Sequence, residues 1–200
     1  MVEDRGSSTA GDDGAAEEIT YLLVDGENLD GTLGSSVLGR RPAAEERPRW
    51  DRVLAFARRT WGAPVKALFF INASSGELPS AFLQALVAME LRPVLLSGPP
   101  SVKVVDVGIQ RTLAAIETRG GNVLLGSHDG DFLPQIRALL GGDRRVGLLA
   151  FREFVNGGYT PLTASGLEIF DLEHDARCFN QPLPRMRIID IEAFDPIPFL

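Results

Sequence analysis

Four aspartates are the residues most able to do chemistry together. Asp25 closes the apolar run at residues 19–24, which offers a charge no turn to serve. Asp129 and Asp131 follow a second apolar run, inside Gly-Ser-His-Asp-Gly-Asp-Phe at 126–132, and Asp106 stands at the head of an amphipathic stretch. Gathered without counter-ions, such carboxylates would raise one another's pKa, each unit costing about 1.4 kcal/mol. A hard divalent cation removes that cost. The chain has one cysteine and two unclustered histidines, so the donors are oxygens and select Mg²⁺ or Mn²⁺ over zinc. Each acid also has a local role open to it: Asp131 as a helix N-cap, Asp129 in a turn, Asp106 against a helix dipole. Asp25 has the least such excuse.

Whether the four meet depends on the elements that carry them. Short apolar runs at 19–24, 65–71, 93–96, 122–125, 145–150 and 167–172 read as buried strands. Between them, apolar residues at helical spacing predict helices over 48–61, 79–90, 104–119 and 131–140, with Gly120-Gly121 and Gly141-Gly142 as stops. Residues 26–47, rich in glycine and then in arginine and proline, read as a loop. A further stretch at 188–191 reads as a sheet-edge segment. Strands alternating with helices imply right-handed crossovers and a mainly parallel sheet covered on both faces, a three-layer α/β fold. In such a sheet, ligands bind beyond the carboxyl ends of the strands. Asp25 and Asp129 fall at those ends, and Asp106 begins a helix on the same side.

The blocks Val24-Asp25-Gly26-Glu27-Asn28, Lys103-Val104-Val105-Asp106 and Ser127-His128-Asp129-Gly130-Asp131-Phe132 resemble, in order, the hallmarks of the NYN family. The resemblance spans about residues 19–155. It implies a PIN-like fold and a metal-dependent ribonuclease leaving 5′-phosphate and 3′-hydroxyl ends. It implies Asp25, Asp106 and Asp129 as metal ligands and Asp131 as a ligand or outer acid. Asn28 would then orient Asp25 or meet the scissile phosphate. Many relatives carry one more acid, at a position that here falls near Thr112. That departure leaves open a fold-retaining RNA-binding scaffold. A metal phosphohydrolase acting on a small phosphate ester is the other alternative, since fold does not fix substrate.

Lesser signals bear on the substrate. Arg49, Arg52 and Arg59 share one face of the helix at 48–61, and Arg40, Arg41 and Arg47 precede it, a set that could track an RNA backbone or simply be solvated. His128 is a candidate phosphate contact or general acid. Neither dinucleotide nor P-loop glycine signature occurs, so no nucleotide cofactor is expected. The formal charge is −7, of which residues 1–18 carry −5 (six acids against Arg5), leaving −2 for 19–200. Residues 1–18 read as a disordered acidic tail, 19–178 as the catalytic domain and 179–200 as an extension packed on it. A lone cysteine and no long apolar run suit a cytoplasmic protein away from membranes. Oligomeric state has no signature.

Overall fold

The computed structural model describes residues 18–185 and 191–197. Its centre is a six-stranded, wholly parallel sheet formed by β1 (Thr20–Asp25), β2 (Val65–Asn72), β3 (Leu91–Leu96), β4 (Asn122–Gly126), β5 (Val146–Ala150) and β6 (Leu167–Asp171). The spatial order is β3-β2-β1-β4-β5-β6. The chain therefore winds outward from β1 in one direction, returns, and winds outward in the other, so the order reverses between β1 and β4. β1 is buried along its length because both of its faces are covered. Its alternation separates the two cores. Leu22 and Val24 face one helical layer, whereas Tyr21 and Leu23 face the other.

On the first face lie α1 (Gly26–Thr32), α2 (Trp50–Trp61) and α3 (Ser80–Ala88), contributing Leu29, Trp50, Val53, Leu54 and Leu86. On the second lie α4 (Val104–Arg119) and α5 (Leu133–Leu139), with Val105, Ile109, Leu113 and Ile136 buried. The three-layer α/β architecture follows from these two cores on one sheet. α2 ends at Gly62, whose φ of +69° is the left-handed C-terminal geometry that glycine adopts without strain.

One segment departs from the expected pattern. Residues 26–38 do not form a loop but continue β1 directly into α1, then into a π-helical stretch, Leu33–Leu38. Leu29 and Leu33, four apart, supply a buried stripe that the surrounding glycines and serines obscure in sequence. The Asp25 carboxylate accepts from the Asn28 N–H and caps the new helix. At Gly26 a Cβ would come within 2.5 Å of the buried Phe69 ring, so a larger residue there would have to displace the ring or the helix start. A smaller correction concerns α5. A 3₁₀ turn, Gly130–Phe132, precedes it, and Asp129 rather than Asp131 is the capping residue. The expected edge segment at 188–191 lies almost wholly outside the described residues, as do residues 1–17 of the acidic tail; Ile191 itself opens a 3₁₀ turn.

Candidate metal centre

The point where strand order reverses, between β1 and β4, is the crevice where open parallel sheets bind ligands. Asp25 ends β1 there and is 2% exposed. Its Oδ1 accepts from the Asn28 N–H at 3.1 Å and its Oδ2 from the Ser127 hydroxyl at 3.2 Å. Burial pushes its pKa up from an ordinary 3.8 to about 6, the two hydrogen bonds pull it back in part, and the nearby carboxylates of Asp106 and Asp129 raise it further.

Above Asp25, α4 and the β4–α5 turn converge. Asp106, Asp129 and Asp131 each present an oxygen within 4.8 Å of the other two. Asp106 lies in the first turn of α4 and its side chain is 17% exposed, whereas that of Asp131 is 52% exposed. The turn carrying Asp129 and Asp131 is fixed locally. Asp129 Oδ1 accepts from the Asp131 N–H at 3.0 Å, Ser127 Oγ accepts from the Asp129 N–H at 3.2 Å, and the buried Tyr159 hydroxyl donates to the Asp129 carbonyl. Clustered hard oxygens, with a buried acid beneath, fit Mg²⁺ or Mn²⁺. The local roles of Asp129 and Asp106, cap and first-turn acid, are compatible with this because one carboxylate has two oxygens.

Ser127 and Lys103 complete the cluster; both fall inside the blocks that carry the sequence resemblance, which gives neither of them a role. Ser127 links Asp25, Asn28 and Asp129 through one hydroxyl. Lys103 Nζ reaches Asp131 Oδ2 at 3.0 Å and Asp106 Oδ2 at 3.3 Å, and those two acids hold the ammonium well above the usual lysine range.

Of the other candidates, Asn28 lies at the site, and His128, Arg49 and Arg52 have partners of their own. Asn28 acts on the architecture: besides its N–H to Asp25, its Oδ1 accepts from the Ser127 hydroxyl and from the His128 N–H. His128 is turned inward, 7% exposed, with Nε2 2.7 Å from Thr32 Oγ1 and its ring 6.4 Å from those of Phe151 and Phe154. Burial lowers its pKa and favours the neutral ring. It is not placed to touch a phosphate at the surface. Arg52 is a brace, donating to the carbonyls of Arg177 and Phe179 and to Asn180 Oδ1. Arg59 lies over the Phe56 ring and donates to the Asp175 carbonyl. Arg40 and Arg47 pair with Glu46 and Asp30. Arg49 is exposed beside Asp51 and, with Arg41 and Arg47, edges an 820 Å³ hollow that also touches Gly26 and Trp50. Thr112 Oγ1 donates to the Gly108 carbonyl of its own helix.

No protein-family model and no curated protein matches the chain. Among solved structures it is similar to a protein of unknown function from Vibrio parahaemolyticus, with a TM-score of 0.61 at 20% identity, covering 80% of this chain and 95% of that one. That likeness concerns the fold. Among the described residues no helix is long and apolar enough to cross a membrane.

Proposed function

We propose that the protein is an NYN-type, PIN-like ribonuclease that uses Mg²⁺ or Mn²⁺ to hydrolyse RNA phosphodiester bonds, in keeping with a cytoplasmic setting. The observation that carries the reading is the meeting of Asp106, Asp129 and Asp131 within 4.8 Å, above a buried Asp25 with a raised pKa, at the strand-order reversal. Asp106, Asp129 and Asp131 would hold the cation, with Asp25 as the innermost acid. A bound divalent cation supplies a water of lowered pKa and a counter-charge for a phosphate. The remaining work belongs to the chain. Ser127 and the Asn28 N–H aim the Asp25 carboxylate, the Asp129 cap and Tyr159 hold the turn, and Arg41 and Arg49, which edge the hollow beside Gly26, would meet flanking phosphates.

The purified protein is expected to degrade single-stranded or structured RNA with Mn²⁺ or Mg²⁺, to stop in EDTA, and to lose cleavage in Asp106→Asn and Asp129→Asn. RNA binding without cleavage in either cation would instead establish the scaffold reading, which is favoured by the Thr112 hydroxyl being engaged by Gly108 where many relatives place an acid.

A further inference from the structure

A concentration of positive charge lies outside the acidic cluster, on the flank of α2 beside the outer strand β6. Arg52 and Arg59 of α2, seven residues apart and so on one helix face, line a 730 Å³ hollow together with Arg177 of the segment after β6. Ala55, between them on that face, is exposed and too small to fill the space. The floor is aromatic. The half-buried Phe170 ring packs edge-on to Phe56 at 5.2 Å, and the Arg59 guanidinium lies 5.1 Å over Phe56.

Among the described residues none of the three guanidiniums pairs with a carboxylate. Arg52 donates to the carbonyls of Arg177 and Phe179 and to Asn180 Oδ1, and Arg59 donates to the Asp175 carbonyl. Neutral acceptors hold a guanidinium in place and leave its charge intact. The acid that lines the hollow, Asp175, is already engaged, because its Oδ2 accepts from Arg152 and from the Asp171 N–H. Arg49 and Arg58, by contrast, pair with Asp51 and Glu90. Arg177 also holds a φ of +50°, a left-handed backbone that glycine or asparagine adopts more readily, so local folding does not account for an arginine there. A chain of formal charge −7 thus carries a local positive surplus on a concave surface.

We propose that this hollow binds the phosphate backbone of single-stranded RNA, with Arg52, Arg59 and Arg177 taking successive phosphates and Phe170 offering its ring to a base. Arg52 and Arg59 are about 10 Å apart along the helix axis at 1.5 Å per residue, a spread that suits a strand with several phosphates better than one small anion. A basic groove with aromatic rings holds single strands without reading their sequence. β4 and β5 lie between β6 and the strand that carries Asp25, so the hollow is separate from the metal centre. The proposal shares a ligand with the ribonuclease reading but neither its site nor its metal.

The test measures anisotropy of a fluorescein-labelled oligouridylate with the full-length protein in EDTA, across a range of salt. Wild type should bind, and more weakly as salt rises. Arg59→Gln and Arg177→Gln should each weaken binding roughly tenfold at low salt and lower the slope of log K against log[salt] by about 0.7, the share of one single-strand phosphate. Arg59→Lys and Arg177→Lys should recover most of both, since the charge is kept. Arg92→Gln removes the same charge from exposed β3 at the opposite edge of the sheet and should change neither. All three positions are exposed, so the melting temperature should hold throughout. Absence of binding in EDTA, wild-type affinity in both glutamine variants, or an equal loss in Arg92→Gln overturns the proposal. Displacement of the RNA by polyglutamate at matched charge overturns it too, in favour of an acidic peptide. Binding that follows the two arginines in a protein that cleaves nothing with Mn²⁺ supports the proposal and removes only the ribonuclease reading.

Discussion

Two groups of carboxylates sit at the carboxyl edge of the same sheet, and they are balanced in opposite ways. At the end of β6, Asp171, Glu153 and Glu173 surround Arg185, whose side chain is only 4% exposed. Asp171 also accepts from the N–H groups of Arg152, Glu173 and His174. Burial alone would raise the Asp171 pKa, yet the guanidinium and these N–H donors outweigh it and hold the group well below the usual carboxylate range. At the end of β1, burial wins, and Asp25 is pushed up to about 6. The first cluster is satisfied by the chain itself. The second has four acids and one exposed ammonium, and under the proposed function a divalent cation would supply the missing counter-charge. Both are tight groups of acids; the difference is that a guanidinium 4% exposed sits among the acids of one, while the other has an ammonium 72% exposed at its rim and none beside Asp25.

The contrast sets the size of mutational effects. Arg185→Met should be the most damaging change, since it strands buried Asp171 and its neighbours without a counter-charge. The expected loss is on the order of 3–5 kcal/mol, read by urea or thermal unfolding. A loss below about 1 kcal/mol would put the two clusters in the same class and break the comparison.

Asp25→Asn should act in the other direction. Its folded-state pKa lies above the unfolded value, so between about pH 4 and pH 6 the native protein keeps a proton that the unfolded chain has released. Stability therefore falls as pH rises through that window, by on the order of 3 kcal/mol at most. The variant lacks this slope. In metal-free buffer at pH 7 it should be the more stable protein, and the advantage should close near pH 4, while RNA cleavage is lost at either pH. A variant less stable than wild type at pH 7 would class Asp25 with Asp171 as a structural acid.

Gly26→Ala sharpens the geometric side of the site. The added methyl meets the Phe69 ring, which is itself packed edge-on between Trp50 and Phe82, so the start of α1 must shift. A cost of about 1–3 kcal/mol is expected from chemical denaturation, with cleavage falling further than stability because Asp25 and Asn28 flank the displaced residue.

How much of this was legible beforehand divides along physical lines. The strands and most helices could be read because burial on both sheet faces demands apolar runs, and amphipathic helices demand period. The acids could be read because Asp25, Asp106 and Asp129 stand at element ends, where the topology brings chain segments together. α1 was hidden by Gly31, Gly34 and Ser35-Ser36, whose weak helix propensity masks the Leu29–Leu33 pair that burial rewards. The fates of Arg52 and His128 were hidden for a different reason. Their partners are 125–128 and 96 residues away, and only the folded chain shows that a guanidinium on an exposed helix face is engaged by carbonyls, or that a histidine beside an aspartate points inward.

The central claim, that the β1–β4 cluster awaits a divalent cation while the β6 cluster does not, is tested most directly by melting temperature against Mn²⁺ concentration at pH 7. An ion that binds the folded state and not the unfolded one stabilises it by RT ln(1 + [L]/Kd), about 2.7 kcal/mol at a hundredfold excess over Kd. Wild type should show a saturable rise of several degrees, and Asp106→Asn and Asp129→Asn should show little or none. A wild-type melting temperature unmoved by Mn²⁺ and Mg²⁺ into the millimolar range, or a rise that persists in both variants, would contradict the account.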